Sequence, residues 1–221
     1  MLQQFSCDLH NHTNLSPCAD PDMTPETLVA AAVARHIDMI AVTDHNSSGN
    51  VAAVIAAAAG TGLAVVPGME VTAREEVHVL ALFDDHAALQ QFETHVFGDE
   101  QPRSLIDPAP YRTADLITLI HRHGGLAVAS HIDRDLFSVL SRYGRIPDSA
   151  AFDALEVSAA CGIVRGRQRY PELARYAFIT SSDAHSPADI GRARTTVILA
   201  APRLVELERA FAGSGGRAVA V

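Results

Sequence analysis

The chain has 221 residues, of which 48% are hydrophobic, and it sets 17 basic against 26 acidic side chains for a formal charge of −9. This composition describes one packed globular domain over residues 1–221 and excludes a disordered chain. It also makes nucleic acid an unlikely partner, because basic patches supply affinity for phosphate backbones. Bound divalent cations would reverse the local field and still admit a small anionic substrate.

No apolar run approaches the ~18 residues that would span a bilayer, so no membrane partner is expected. The N-terminus shows no basic and apolar signal pattern. Cys7, Cys18 and Cys161 are odd in number and widely spaced, which does not describe a disulfide framework and points to the cytoplasm.

Taken in chain order, residues 5–9 read as a strand and 24–35 as a helix, with Thr24 as N-cap and Pro25 at the first helical position. A buried strand at 38–43 and an alanine-rich helix at 49–59 follow. Strands are expected at 63–66, continuing as 70–72 past Pro67-Gly68, and at 77–83, then a helix at 86–97. Residues 98–112, with three prolines, form the one loop long enough for a lid. A helix at 113–123 stops at Gly124-Gly125. Strands at 126–130, 154–157, 178–180 and 195–199 and a helix at 202–212 complete the chain. Repeated β-then-α order implies an α/β fold with parallel strands, and about seven units favour a small barrel.

The histidines fall where such a fold gathers its active site, at the ends of strands. Asp8-Leu9-His10-Asn11-His12 ends the first strand, and His10 and His12 project from one face of an extended segment. Thr43-Asp44-His45 ends the second, and Glu70 follows Pro67-Gly68-Met69. His78 lies in a strand interior, His131 directly follows 126–130, and Asp183-Ala184-His185 follows 178–180. Imidazoles and carboxylates together suit zinc, manganese or iron, and a bridging carboxylate suits a multinuclear site.

This ordered set resembles the PHP (polymerase and histidinol phosphatase) superfamily, over positions 8 to 185. The resemblance implies a distorted seven-stranded (β/α) barrel, with two or three divalent metals at the C-terminal ends of its strands. It implies that His10, His12, Glu70 and Asp183 hold one metal. Glu70 would bridge to a second, completed by His78 and His131, and His45 and His185 would hold a third. Glu70, Asp183 and His131 are then the expected catalytic residues. The implied reaction is hydrolysis of a phosphomonoester of a small metabolite or nucleotide, in which metals lower the pKa of a shared water and neutralise phosphate oxygens. Asp8 and Asp44 flank ligands and are read as carboxylates that orient imidazoles from behind.

One position departs from the family pattern. Where many relatives read His-Thr-x-x-Ser-Asp, this chain has Pro17, which cannot ligate through its side chain. Cys18 or Asp20 could supply the missing third-site ligand. Arg134, three residues past His131, is the best placed side chain to clamp phosphate, and Arg165 lies after the strand 154–157. The other histidines, 36, 86, 95, 121 and 123, read as surface or helix-terminal residues, and Cys7 and Cys161 as fillers. Two alternatives remain: a nuclease acting on nucleic-acid ends, and a metal-binding module without catalysis.

Overall fold

The computed structural model describes residues 1–98 and 104–220. Strand β1 (Gln3–Asp8) leads to α1 (Pro25–Ala34), β2 (Met39–Val42), α2 (Val51–Ala58), β3 (Ala64–Thr72) and β4 (His78–Leu82). Helices α3 (His86–Phe97) and α4 (Thr113–Arg122) come next, then β5 (Leu126–Ala129), α5 (Val139–Tyr143), β6 (Ala154–Val157), α6 (Gly162–Arg169) and β7 (Ala177–Thr180). The chain closes with β8 (Thr195–Leu199), α7 (Leu204–Phe211) and β9 (Ala218–Ala220). Thr24 caps α1 as expected, its hydroxyl accepting the Thr27 N–H at 3.2 Å.

The strands form one sheet of nine, in the order β7-β6-β5-β4-β3-β2-β1-β8-β9. This corrects the expected seven-stranded barrel of parallel βα units. Parallel pairing joins β1 to β2, β2 to β3, β5 to β6 and β6 to β7. Strand β4, however, runs antiparallel to both its neighbours, and β8 runs antiparallel to both β1 and β9. The cause at β4 is the length of the connection. Only residues 73–77 link β3 to β4, closed by Ala73 N–H to Val77 O at 2.8 Å, and a parallel crossover needs a dozen or more residues. The sheet curls until its ends approach. The Thr195 hydroxyl joins the end of β7 to the start of β8, accepting the Thr180 N–H at 2.8 Å and donating to Thr180 O at 2.7 Å.

Both faces of the sheet are buried, so strands alternate between two cores. Met39, Ala41, Leu80 and Leu82 enter one core, with Leu204, Leu207 and Phe211 of α7. Ile40, Val42, Val79 and Ala81 enter the other, with Leu28, Val54, Phe92 and Leu116 of the surrounding helices. Helix α6 carries few apolar residues, and its sequence pattern does not announce a helix. It approaches the sheet through Gly166, where a Cβ would lie 2.8 Å from Val157 Cγ1.

Reversal of β4 changes the place of His78. The residue does not lie inside a strand; it opens β4, opposite Thr72 at the end of β3. The start of this reversed strand therefore lies at the same end of the sheet as the carboxyl ends of its parallel neighbours. Of the expected lid at 98–112, residues 99–103 lie outside the described residues. Its later part is tied to the same end: the Asn46 side chain donates to Leu105 O at 3.1 Å and Asp107 O at 2.9 Å.

Candidate metal centre

Backbone hydrogen bonds stitch the motif loops together at the end of the sheet. His12 N–H meets Ala184 O at 3.0 Å, Thr43 N–H meets Asn11 O at 2.8 Å, and Asn46 N–H meets Glu70 O at 2.9 Å. The Asn11 side chain closes the floor, donating to Asp8 O at 2.9 Å and Ala41 O at 3.2 Å. Two site residues hold left-handed backbone, His131 at φ 28° and Asp183 at φ 50°. Such conformations persist only where the surroundings enforce them.

Glu70 stands at the centre, 1% exposed. Its two oxygens lie 2.9–3.4 Å from ring nitrogens of His10, His12, His45, His78 and His131. Asp183 Oδ1 lies 3.2 Å from Nε2 of both His10 and His12. Three triads have ligand atoms within 4.8 Å of one another: His10–His12–Glu70, His45–Glu70–His78 and His12–His45–His185. The third brings His12 beside the expected pair of His45 and His185.

The hydrogen-bond partners assign the tautomers. Ser16 Oγ donates to Asp44 Oδ1 at 2.6 Å, so at 3.0 Å from His12 Nδ1 it must accept from the ring. His185 Nδ1 faces the Asp183 carbonyl at 2.9 Å and donates to it. His10 Nδ1 meets the Glu156 carboxylate at 3.0 Å. The Nε2 atoms of His10 and His12, 3.2 Å apart, are thereby left to face each other and Asp183. Ring nitrogens and a carboxylate converging in this way suit a bound cation.

Unpartnered atoms give a second indication. His131 Nδ1 is buried and makes no hydrogen bond, although buried polar atoms are seldom left so, and Glu70 Oε1 and His78 Nδ1 face each other at 2.9 Å without hydrogen-bond geometry. His45 is held down to about 3, by burial first and then by His12, His78 and His10 against the pull of Glu70. It is therefore neutral and able to ligate. Burial pushes the Glu70 carboxyl up, but His78 and His10 outweigh it and keep the group well below the usual range. Burial likewise opposes the charged form of His10, and the carboxylates of Asp183, Glu156 and Glu70 raise its pKa above that of a free imidazole. This donor set of imidazoles and carboxylates fits two or three divalent ions.

The remaining expected residues fall in different places. Asp44 reaches the imidazoles through Ser16 rather than directly, and also accepts Thr13 N–H at 2.7 Å. Asp8 acts elsewhere, accepting from Ser182 N–H at 2.9 Å, Ser182 Oγ at 2.6 Å and Gly191 N–H at 2.8 Å. Burial pushes its carboxyl up to about 6 against the pull of those bonds. Asp8 thus anchors the loop that carries Asp183 and His185, with no hydrogen bond to an imidazole among the described residues.

Arg134 sits at the rim, its Nη2 2.6 Å from Asp183 Oδ2. Arg165 is exposed on α6 and bonds the carbonyl of Ala160 at 3.4 Å. Burial lowers the His185 imidazole pKa, but the exposed Cys18 nearby and the Asp183 carbonyl outweigh it and raise the value. Asp20 meets His185 through its backbone, N–H to O at 2.8 Å, with its side chain exposed.

Glu156 is the residue that sequence reasoning missed. It is 1% exposed in β6, and its Oε2 takes both His10 Nδ1 and the His131 N–H at 3.0 Å. A single glutamate among Ala154, Leu155 and Val157 was the available signal.

Fold and site together define a histidine-rich, metal-binding α/β barrel. The PHP domain family matches residues 8–161, and the PHP-associated family matches 168–206. The chain therefore belongs to the PHP domain family.

Among curated proteins it is 36% identical over 92 residues to the 5'-3' exoribonuclease Rnm of Salmonella typhimurium, covering 38% of this chain and 30% of that protein. It is 37% identical over 83 residues to the 3',5'-nucleoside bisphosphate phosphatase of Chromobacterium violaceum, covering 36% of this chain and 28% of that one. These matches span less than a third of either relative. Among solved structures, the lesion-specific endonuclease PfuEndoQ from Pyrococcus furiosus superposes with a TM-score of 0.84 at 18% identity, over 98% of this chain and 58% of that one. An amidohydrolase from Chromobacterium violaceum reaches 0.63 at 21% identity, over 84% and 89%. At these identities the structures establish the fold alone. No helix among the described residues is long and apolar enough to cross a membrane.

Proposed function

We propose that residues 1–221 act as one metal-dependent phosphoesterase domain, hydrolysing a phosphomonoester of a small metabolite or nucleotide. The observation that carries this reading is Glu70, buried with five imidazoles around its two oxygens. His10, His12, Glu70 and Asp183 would hold one metal, Glu70, His78 and His131 a second, and His45 and His185 a third. When bound, such ions supply Lewis acidity and a hydroxide nucleophile near neutral pH.

The chain's own residues do the rest. Glu156 and the Ser16–Asp44 pair fix the rings of His10 and His12, so that the ligand atoms need no reorganisation during reaction. Arg134, half-exposed at the rim, is placed to bind a phosphate oxygen, and in the free protein it is held ready by Asp183. A phosphomonoester suits the fork of a guanidinium, which offers paired donors.

The nuclease relatives support a nucleic-acid substrate as the second reading, against the acidic charge of −9. The test is a panel of phosphorylated metabolites, nucleotides and 5'-phosphorylated oligonucleotides, offered with Mn²⁺, Zn²⁺ or Fe²⁺. Turnover should vanish on chelation, return with metal, and be absent in His12→Ala and Asp183→Ala. Turnover of oligonucleotides alone would reverse the choice of substrate, and no turnover with bound metal would remove the enzymatic reading.

A further inference from the structure

The loop 131–138 brings more than a metal ligand to the mouth. His131 opens it, and Arg134 N–H folds back to His131 O at 3.0 Å, which aims the guanidinium at Asp183. Three residues on, the Phe137 ring lies flat on His78, with centroids 4.7 Å apart and planes 18° apart. Both ends of this segment are fixed: His78 N–H donates to Phe137 O at 2.9 Å, and Ser138 Oγ donates to Arg134 O at 2.8 Å.

Phe137 is an odd residue to place here. Its backbone is left-handed at φ 58°, a region bulky side chains rarely adopt. Yet the residue stays 44% exposed, so the strain is not repaid by full burial. Phenylalanine sets a flat, rigid π-face against His78 and at the edge of a cavity.

The charge around it points the same way. A cavity of about 280 Å³ borders Phe137 and is lined also by Glu76, Asp135, Leu136, Ser141 and Arg142. Exposed carboxylates repel phosphate but accept hydrogen bonds from the exocyclic amino groups of nucleobases. Phe137 thus has His78 against one face and a cavity with carboxylate acceptors beside it, with Arg134 three residues back on the same loop.

We infer that Phe137 is a stacking platform for the nucleobase of a phosphorylated substrate, and so selects nucleotides over phosphates that lack an aromatic ring. This inference rests on the phosphoesterase reading for turnover but not for binding. Base stacking on a protein aromatic contributes about fivefold to a hundredfold in affinity. The base can belong to a free nucleotide or to the end of a strand, and the stacking chemistry is the same.

The experiment compares Mn²⁺-loaded wild type, Phe137→Leu and Phe137→Tyr for binding of adenosine 5'-monophosphate, ribose 5-phosphate and a 5'-phosphorylated tetraadenylate, by calorimetry, with metal content measured in each. Wild type should bind the two adenine ligands at least fivefold more tightly than ribose 5-phosphate. Phe137→Leu should lose that preference at full metal content, and Phe137→Tyr should keep it. Tighter binding of the tetraadenylate than of the mononucleotide assigns the base to a strand end; the reverse assigns it to a free nucleotide. Equal binding of all three ligands by wild type overturns the inference. So does an equal loss for all three in Phe137→Leu, which would make Phe137 only a cover for His78. Stacking preference without turnover of any ligand would sink the phosphoesterase reading and leave the platform standing.

Discussion

Glu156 sits directly behind His10, its Oε2 3.0 Å from the ring Nδ1, and the same oxygen takes the backbone N–H of His131. One buried carboxylate therefore positions two of the expected ligands, one through its ring and one through its backbone. Carboxylates behind ligating imidazoles fix the tautomer and raise basicity, and their loss costs about 10- to 100-fold in metal affinity. Glu156→Gln should show a fall of that size in a competition titration against a chelator, with its fold intact by circular dichroism. Unchanged affinity would make Glu156 a strand-end anchor only.

Glu70 predicts a different stoichiometric signature. Its carboxylate belongs to two of the three triads, whereas His185 belongs to one. Glu70→Ala should lose at least two ions per chain by elemental analysis, and His185→Ala no more than one. Equal losses in the two variants would refute the shared-carboxylate arrangement.

The Arg134 guanidinium makes one ion pair among the described residues, with Asp183 Oδ2. If the guanidinium engages phosphate with paired donors, Arg134→Lys loses that fork while keeping the charge. KM should rise roughly tenfold with kcat and metal content near wild type, the pattern of lost ground-state binding. Unaltered KM would leave Arg134 as a partner of Asp183 alone.

The strand-end histidines were legible because alternation in an extended segment puts His10 and His12 on one face, and apolar strands point to their own ends. Strand direction was not legible. Residues 77–83 announce a strand, but only the five-residue link from Ala73 to Val77 reverses it, and that reversal carries His78 to the mouth. Short β9 escaped notice because its three residues sit in a glycine-rich tail and gain their partner only from β8. Glu156 and Phe137 share a further reason. Each acts on a histidine far from it in sequence, so no local spacing marks either one.

Cys18 and Asp20 are separated by their contacts. Cys18 is near enough to the His185 ring to raise its pKa, while Asp20 meets His185 through the backbone. As a thiolate, Cys18 would favour zinc or iron over manganese. Cys18→Ser should shift metal preference toward Mn²⁺ and lower zinc content, whereas Asp20→Asn should leave both alone. Identical zinc and manganese affinities in all three proteins would place Cys18 outside the site.

Outside the histidine cluster, Glu206 is the centre of a second polar network. Its carboxylate takes Arg217 Nε at 2.9 Å, Arg217 Nη2 at 3.1 Å, the Ala200 N–H at 2.7 Å and Arg209 Nη1 at 3.0 Å. It thereby ties α7 to the turn after β8 and to the residue before β9. Arg217 first, then the Ala200 N–H, hold it down to about 2 from an ordinary 4.5, against burial. A carboxyl whose pKa is lower folded than unfolded stabilises fully above the unfolded value, and that contribution fades as pH falls through the folded value. Glu206→Gln should therefore melt below wild type at pH 6 to 7, with the gap narrowing from about pH 4.5 and closing near pH 2. Both proteins are compared in excess chelator, so that acid release of metal is common to the two curves. A gap that stays constant from pH 7 to pH 2 would show that the charge of Glu206 contributes nothing and that only its packing matters.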